Sequence, residues 1–421
     1  MSDGLAARAA AQTVLSEVLR RRRPLDLALE TLPQMEARDA GFARVIASET
    51  LRRLGQIEAV VRHCVPKTPP PHKAGPTLEI LFAGACELLF LEVPPHAAVD
   101  AANRLAQADS KAVHFKALIN AVLRRLSREG ADLIAAQDAP RLNTPDWLWQ
   151  RWCENFGEDT TRAIALAHLS PPPLDIVLKD AALAAPAGDM QFDRVVRVSD
   201  AGRVADLPGF TDGNWWVQDA AATLPARLFG DVRGQAVIDL CAAPGGKTLQ
   251  LAAAGANVVA VEREAARLTR VAENLARTKL AATLVRADVR DFHPETPAPF
   301  VLLDAPCTAT GTIRRHPELP WIKSPSDVTL CEQAAGELLD AAAAMVAPGG
   351  LLVFAVCSLE PEEGVEQVER FLQRDARFVR VPVTADDVFG RAELISAQGD
   401  LRTLPSHGMD GFYAARLRRQ P

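Results

Sequence analysis

Between residues 236 and 356 the chain alternates short apolar runs with longer amphipathic ones, and this alternation restricts the architecture more than any other feature. "AVIDL", "NVVAV", "TLVRA", "FVLLD" and "LLVFAV" have the length and β-branched content of buried strands. "GKTLQLAAAG", "EAARLTRVAENLARTK" and "DVTLCEQAAGELLDAAAAMV" carry apolar residues at helical spacing. Strands that alternate with helices pair in parallel, because each helix carries the chain back across the sheet. Residues 231 to 421 are therefore expected to form a doubly wound α/β domain with a mostly parallel sheet. Ligands of such sheets bind beyond the carboxyl ends of the strands, which makes the residues directly after each run the ones to read.

"AVIDL" is followed by "CAAPGGKT", in which Pro244, Gly245 and Gly246 make a tight turn that lets backbone approach a ligand before a helix begins. The match to a nucleotide-triphosphatase loop is incomplete, since its first glycine would fall on residue 241, a cysteine, which argues against that reading. The second strand closes at Glu262, seventeen residues after Gly245, where a carboxylate can accept from both hydroxyls of a ribose. Asp288 follows the third strand and Asp304 the fourth. Acids after three successive strands outline a nucleoside cofactor with hydroxyls and an amino group and little phosphate.

Ahead of this domain the texture differs. Residues 1 to 135 read as helices throughout, interrupted by prolines at Pro66 to Pro76 and at "EVPPH". Residues 140 to 230 read as a linker helix, "TPDWLWQRWCENFG", followed by a small mixed α+β segment. The net charge is −6, yet residues 1 to 130 hold 18 Lys and Arg against 14 Asp and Glu. Basic residues gather at Arg20 to Arg23 and at Lys111, Lys116, Arg124, Arg125 and Arg128, which makes the helical region the expected phosphate-binding part. No apolar run approaches the ~20 residues that span a bilayer, and "MSDGLAARAAAQTV" has no signal-peptide core, so a cytoplasmic protein without membrane contact is expected.

The seven cysteines are an odd number, widely spaced, with no C-x-x-C pair, which argues against zinc and against disulfides. Two of them stand at strand ends: Cys307 in "VLLDAPCTATG" and Cys357 in "LLVFAVCSLEPEE".

"DAPCTATGTIRRHPELPW", "CAAPGGKT" and "CSLEPEEGVEQV" resemble the motifs of the S-adenosylmethionine-dependent RNA cytosine-C5 methyltransferases. The helical region, with "PPHAAVDAAN" and "FKALINAVLRRLSREG", is similar to the NusB-like domain of the RsmB (Fmu/Sun) branch, which acts on 16S ribosomal RNA. "HGMDGFYAARL" resembles that family's closing strand. The resemblance implies a Rossmann-like class I methyltransferase domain, S-adenosylmethionine as cofactor and 16S rRNA as partner, with a monomer expected. It implies that Cys241, Ala242, Ala243, Pro244, Gly245, Gly246 and Lys247 wrap the methionine end of the cofactor. Glu262 would take the ribose, Asp288 would face the adenine and Asp304 would lie between cofactor and target base. The family usually has Thr-Cys where this chain has Val356-Cys357, so a hydrogen bond from that side chain is lost.

The chemistry explains two thiols. Carbon 5 of cytosine is too electron-poor to attack a sulfonium methyl until a thiolate adds to carbon 6 and turns the ring into an enamine. Asp304 is the candidate donor to ring N3, a role that requires it to carry a proton. A second cysteine can assist removal of the carbon 5 proton. Which cysteine attacks is open from the residues alone; the resemblance assigns attack to Cys357 and release to Cys307. Arg314 and Arg315 would grip RNA phosphates, while His316 and Trp321 fit capping and core packing at least as well as base contact. An amine methyltransferase would carry an aromatic residue where Cys307 stands. A non-catalytic RNA-binding assembly factor built on the helical domain would have no need of two thiols and a full series of acids.

Overall fold

The computed structural model describes residues 4–65, 67, 69–199 and 202–421. The first three residues of the N-terminal stretch and Pro66, at the opening of the proline break, lie outside them. The chain divides into two compact units, one of Met1–Pro171 with Ile313–Ser324 and one of Pro172–Thr312 with Pro325–Pro421. The expected middle segment is thus divided, the helices before Pro171 going to the first unit and the strands, with the helix Ala220–Arg227, to the second.

The first unit is helical. Its longer helices run Leu5–Arg21, Ala37–Arg52, Leu54–Cys64, Thr77–Leu89, Pro95–Ala108, Lys116–Ala135, Asp146–Phe156 and Glu158–His168. In the first of these Ala7, Ala11, Val14, Leu15 and Val18 recur at three- and four-residue steps and are buried, as an amphipathic helix requires. Arg8, on the same buried face, is neutralised by Glu87 at 2.6 Å. Gly55 permits a close crossing, because a Cβ there would lie 1.8 Å from the carbonyl oxygen of Leu142.

The segment Ile313–Ser324 belongs to this helical unit, although residues of the second unit flank it in sequence. The Trp321 indole donates to the Leu51 carbonyl at 2.8 Å and its ring packs in the helical core. Arg22 donates to the carbonyl of Ile322 at 2.8 Å, and the Leu25 amide donates to Glu318 at 3.2 Å. The rest of the early basic cluster is also bound internally: Arg20 pairs with Glu79 at 2.6 Å, and Arg21 and Arg23 pair with Glu17 at 2.8 and 3.8 Å.

The second unit holds two sheets. The strands β1 (Leu174–Leu178), β2 (Gly188–Phe192), β3 (Val195–Val198) and β4 (Trp215–Val217) form an antiparallel sheet in the order β2-β3-β1-β4. The larger sheet contains β5 (Ala236–Leu240), β6 (Asn257–Glu262), β7 (Thr283–Arg286), β8 (Ala298–Asp304), β9 (Val346–Val356), β10 (Phe378–Arg380), β11 (Leu401–Arg402) and β12 (Tyr413–Arg419). Its order is β10-β12-β9-β8-β5-β6-β7, with β11 on β12. The run from β9 to β7 is parallel, and β12 is antiparallel between β9 and β10.

Side chains of alternate residues enter opposite faces of this sheet, and both faces are covered. Val237, Leu302 and Val353 pack on one side with Leu249, Val271 and Leu275 of the helices Gly246–Ala253 and Ala265–Thr278. Ile238, Leu240, Val301, Leu303, Leu352, Phe354 and Val356 pack on the other with residues of Pro325–Ala344 and Val365–Arg374. Burial on both faces is why these strands read as continuous apolar runs. Val356 is fully buried among apolar neighbours, so an aliphatic side chain suits the position before Cys357.

Candidate active site

β5 lies between β6 and β8, the place where the strand order reverses and loops diverge to leave a crevice. Register sets Leu240 beside Leu303 and Asp304 beside Ala355. The turn after β5, the acid closing β8 and the cysteines after β8 and β9 therefore emerge at one edge of the sheet.

The turn opens at Cys241, with φ 60°, and contains a cis peptide between Ala243 and Pro244 before Gly245 at φ 107°, a conformation suited to glycine. Arg267 donates to the carbonyl of Ala243 at 2.9 Å and Asn274 to that of Pro244 at 3.2 Å, which fixes the backbone of the turn. The Ala242 amide donates to Val261 at 3.1 Å, and Gly246 begins the following helix. Burial, with Asp304 and Glu262 nearby, pushes the Cys241 thiol up to about 12, so it does not compete as a nucleophile.

Asp239 sits beneath the turn, fully buried, accepting from the Thr248 hydroxyl at 2.5 Å. Burial pushes its carboxyl up to about 7 from 3.8, against the pull of Thr248 and Lys247. The folded protein holds this proton more tightly than the unfolded chain. Its contribution to stability is therefore complete below about pH 4 and is lost as pH rises through about 7. Compared with Asp239→Asn, the native protein should lose roughly 2–4 kcal/mol of relative stability over that interval. Thermal melts of both proteins at several pH values check this, and a constant difference between them would contradict it.

Glu262 is buried at the end of β6, with Oε1 accepting from the Glu264 amide at 3.0 Å. Its Oε2 forms an ion pair with Arg267 at 3.3 Å but has no hydrogen-bond partner among the described residues. A buried carboxylate oxygen in that state is costly, and a ribose hydroxyl would satisfy it. The residues here thus fit a nucleoside cofactor. Asp288 is engaged by Arg290, through Nε at 2.9 Å and Nη2 at 2.8 Å, which with a bond from the Arg290 amide holds its carboxyl down to about 2.

Asp304 closes β8 and receives the Lys247 ammonium at 2.7 Å. Burial would lower the Lys247 pKa, but the charge of Asp304 and its hydrogen bond, helped by Asp239 and Cys357, raise it instead. This ion pair was not legible in the sequence. It means that the carboxyl expected to give a proton to the base is already paired with a cation.

The Ala305 amide continues the ladder to Ala355 at 2.8 Å before Pro306 ends it. The Sγ atoms of Cys307 and Cys357 then stand 3.5 Å apart, both partly exposed. The hydrogen bond to Cys357, burial and the charges of Cys357 and Glu363 hold Cys307 well above the ordinary thiol range, which keeps it protonated. Gly311 brings the two loops together. Its amide donates to the Cys357 carbonyl at 3.0 Å, and a Cβ there would lie 2.0 Å from the carbonyl oxygen of Gly411.

The expected RNA-binding residues are all in the helical unit. Lys111 and Arg124 are exposed, and Lys116 and Arg125 are half-buried. Lys116 reaches Gln107 at 3.0 Å, Arg124 reaches Asn120 at 3.2 Å and Arg125 pairs with Glu129 at 2.8 Å. Arg315 is half-buried, but Arg314 is only 5 % exposed. The reason is its segment, which packs as core: the Arg314 carbonyl accepts from Arg52 at 3.0 Å, and its charge and that of Arg52 add to the burial that lowers His168 to about 3. An enclosed guanidinium is poorly placed to grip a phosphate, which leaves Arg315 as the candidate from that motif. Sequence reasoning also missed Glu363, whose carboxylate joins the two cysteine loops; the signal was its place in "CSLEPEEGVEQV", where four acids crowd within seven residues and nothing local shows which of them turns inward.

A doubly wound sheet whose switch-point turn fits a nucleoside, with reactive side chains on the next two strands, defines a class I S-adenosylmethionine-dependent methyltransferase. Residues 228–418 match the model of the 16S rRNA methyltransferase RsmB/F family, and residues 5–128 match that of the NusB family. The chain belongs to the RsmB/F family of ribosomal RNA methyltransferases. It is 36% identical to the ribosomal RNA small subunit methyltransferase B of Pseudomonas putida, over 97% of this chain and 98% of that protein. It is 33% identical to that of Pasteurella multocida, over 99% of this chain and 96% of the other. The crystal structure of PH0851 shares the fold with a TM-score of 0.77 at 21% identity, covering 98% of this chain and 99% of its own. No helix among the described residues is long and apolar enough to cross a membrane.

Proposed function

We propose that this protein methylates carbon 5 of a cytosine in 16S ribosomal RNA through a transient bond between Cys357 and carbon 6 of the base, acting in the cytoplasm as a monomer. The observation that carries this reading is the pair of sulfur atoms 3.5 Å apart, one in the loop after β8, the strand that ends at Asp304 of the Lys247–Asp304 ion pair, and one after its neighbour β9. When bound, S-adenosylmethionine supplies an electrophilic methyl group. The chain's own residues do the rest. Glu262 and the backbone from Cys241 to Lys247 hold the cofactor. Cys357 adds to carbon 6, and the proton needed at ring N3 is delivered by Asp304 with Lys247 as its source. After transfer Cys307, having first given its own thiol proton to water, takes the carbon 5 proton as a thiolate, the N3 proton returns to the Lys247–Asp304 pair, and the bond from carbon 6 to sulfur breaks with its electrons leaving on Cys357 as the ring recovers its double bond.

The test is methyl transfer to small-subunit RNA lacking the modification, followed by mapping of 5-methylcytosine. One modified cytosine is expected; methylation at nitrogen, or none, would overturn the reading. Lys111, Lys116, Arg124 and Arg125 are assigned to RNA phosphates. Neutralising all four should reduce the slope of log affinity against log salt by up to about 3. An unchanged slope in a binding titration would remove them from the interface.

A further inference from the structure

Glu363 is a buried carboxylate that the reaction described above does not use. It lies in the turn after Cys357, ahead of the helix Val365–Arg374, with no solvent exposure. Its Oε1 accepts from the Thr308 amide at 2.8 Å and its Oε2 from the Thr308 hydroxyl at 2.6 Å. The same Oε2 accepts from the hydroxyl of Ser358. Thr308 follows Cys307 and Ser358 follows Cys357, so one carboxylate joins the two residues adjacent to the two thiols.

A second layer of bonds supports the clamp. The Leu359 amide donates to the Thr310 hydroxyl at 3.0 Å, and the Glu360 amide donates to Ser358 Oγ at 3.0 Å. Thr308, Thr310, Ser358 and Glu360 are all buried. Burial raises the pKa of this carboxyl above the usual range, against the pull of the three donors from Thr308 and Ser358 that converge on it. Apolar packing could close the same space, but it could not fix the two loops in one register.

We propose that Glu363 is a positioning residue for methyl transfer, clamping the loop of Cys307 to the loop of Cys357 so that both sulfurs face one pyrimidine ring. The clamp also distinguishes the two thiols. The charge of Glu363 acts on Cys307 and favours its protonated form, whereas a negative charge on Cys357 stabilises the Lys247 ammonium. One sulfur therefore faces an anion and the other a cation, the asymmetry that separate roles for two like groups require. The inference rests on the two-thiol chemistry proposed above, but it can be tested without that chemistry.

In the full-length protein, Glu363→Ala should leave affinity for S-adenosylhomocysteine, measured by calorimetry, within twofold of the native value. With KM for RNA nearly unchanged, kcat should fall by about 10²-fold, the usual cost of misplacing reacting groups by an ångström. A separate readout needs no RNA. The oxidant diamide takes two electrons and two protons from the thiols of Cys307 and Cys357 and forms a disulfide, which peptide mapping locates. Its rate should fall at least about tenfold in Glu363→Ala as the effective concentration of one thiol at the other drops. Glu363→Gln should restore most of both quantities, because its amide oxygen can accept from the Thr308 amide while its NH2 group donates to the hydroxyls. If native kcat and native disulfide rate persist in Glu363→Ala, Glu363 has no positioning role. If Glu363→Ala does not fold, Glu363→Gln decides: native rates support the clamp, and rates reduced about 10²-fold overturn it. A native protein that never bonds to RNA would refute the covalent reaction, and the disulfide comparison would still decide for or against the clamp.

Discussion

Cys357→Ser should lose methyl transfer by about 10⁴-fold or more, the scale on which removal of an attacking nucleophile is felt, while Cys307→Ser should add to RNA and then stall. The two substitutions look alike, since each replaces one partly exposed thiol of a pair 3.5 Å apart. Their expected consequences differ because the sulfurs stand in different fields. Cys307 is kept protonated by the hydrogen bond to Cys357, by burial and by the Glu363 charge, so it does not compete in the attack; the same raised pKa makes its thiolate the stronger base for the carbon 5 proton, once its own proton has passed to water. Serine at 357 is a far weaker nucleophile at neutral pH. Serine at 307 leaves addition intact and removes the group that takes the carbon 5 proton. Denaturing gels of each variant with labelled donor and RNA read the outcome: a shifted protein–RNA band for Cys307→Ser and none for Cys357→Ser. A band from Cys357→Ser alone would reverse the assignment.

The second large effect concerns the ion pair between Lys247 and Asp304. Lys247→Met should lower kcat by about 10²–10⁴-fold, as expected when a proton source is removed. It should also destabilise the protein by about 2–3 kcal/mol, less than for a fully enclosed pair because Asp304 keeps some contact with water. The two effects separate in a double variant. Adding Asp304→Asn to Lys247→Met removes the unpaired charge and should recover most of the stability, while activity stays low. The native Lys247 pKa is raised, so the ammonium is charged throughout a neutral assay and no change of rate near pH 7 belongs to it. Denaturant unfolding and single-turnover transfer on the native protein and both variants check both parts. Recovery of activity in the double variant would show that Lys247 serves only to balance charge.

The part of this molecule that local pattern controls was legible in its sequence. "AVIDL" is β5 residue for residue, and "NVVAV" and "FVLLD" differ from β6 and β8 only at their ends. A run of β-branched residues between turns carries its own signal, and the rule that ligands lie beyond strand ends then located Cys241 to Lys247, Glu262, Asp304 and both cysteines. Antiparallel insertion of β12 between β9 and β10 was not legible, because strand order is set by packing across the whole sheet. Nor was the membership of Ile313–Ser324 in the helical unit. "TIRRHPELPW" looks like a polar, exposed loop, and its two arginines suggested phosphates. Burial of this segment depends on Arg52 and His168 beside Arg314 and on Leu51 beside Trp321, all distant in sequence. Glu363 was hidden for the same reason, since its partners Thr308 and Ser358 belong to two different loops.

The central claim is that a sulfur of this chain becomes bonded to carbon 6 of the target base. It is tested most directly by intact-protein mass spectrometry after incubation with S-adenosylmethionine and small-subunit RNA containing 5-fluorocytidine, whose fluorine cannot leave as a proton does. The account predicts a species heavier by one methylated RNA fragment after nuclease digestion, with the added mass on the peptide containing Cys357. A protein that transfers methyl groups to ordinary RNA yet shows no such species with the fluorinated RNA would contradict it.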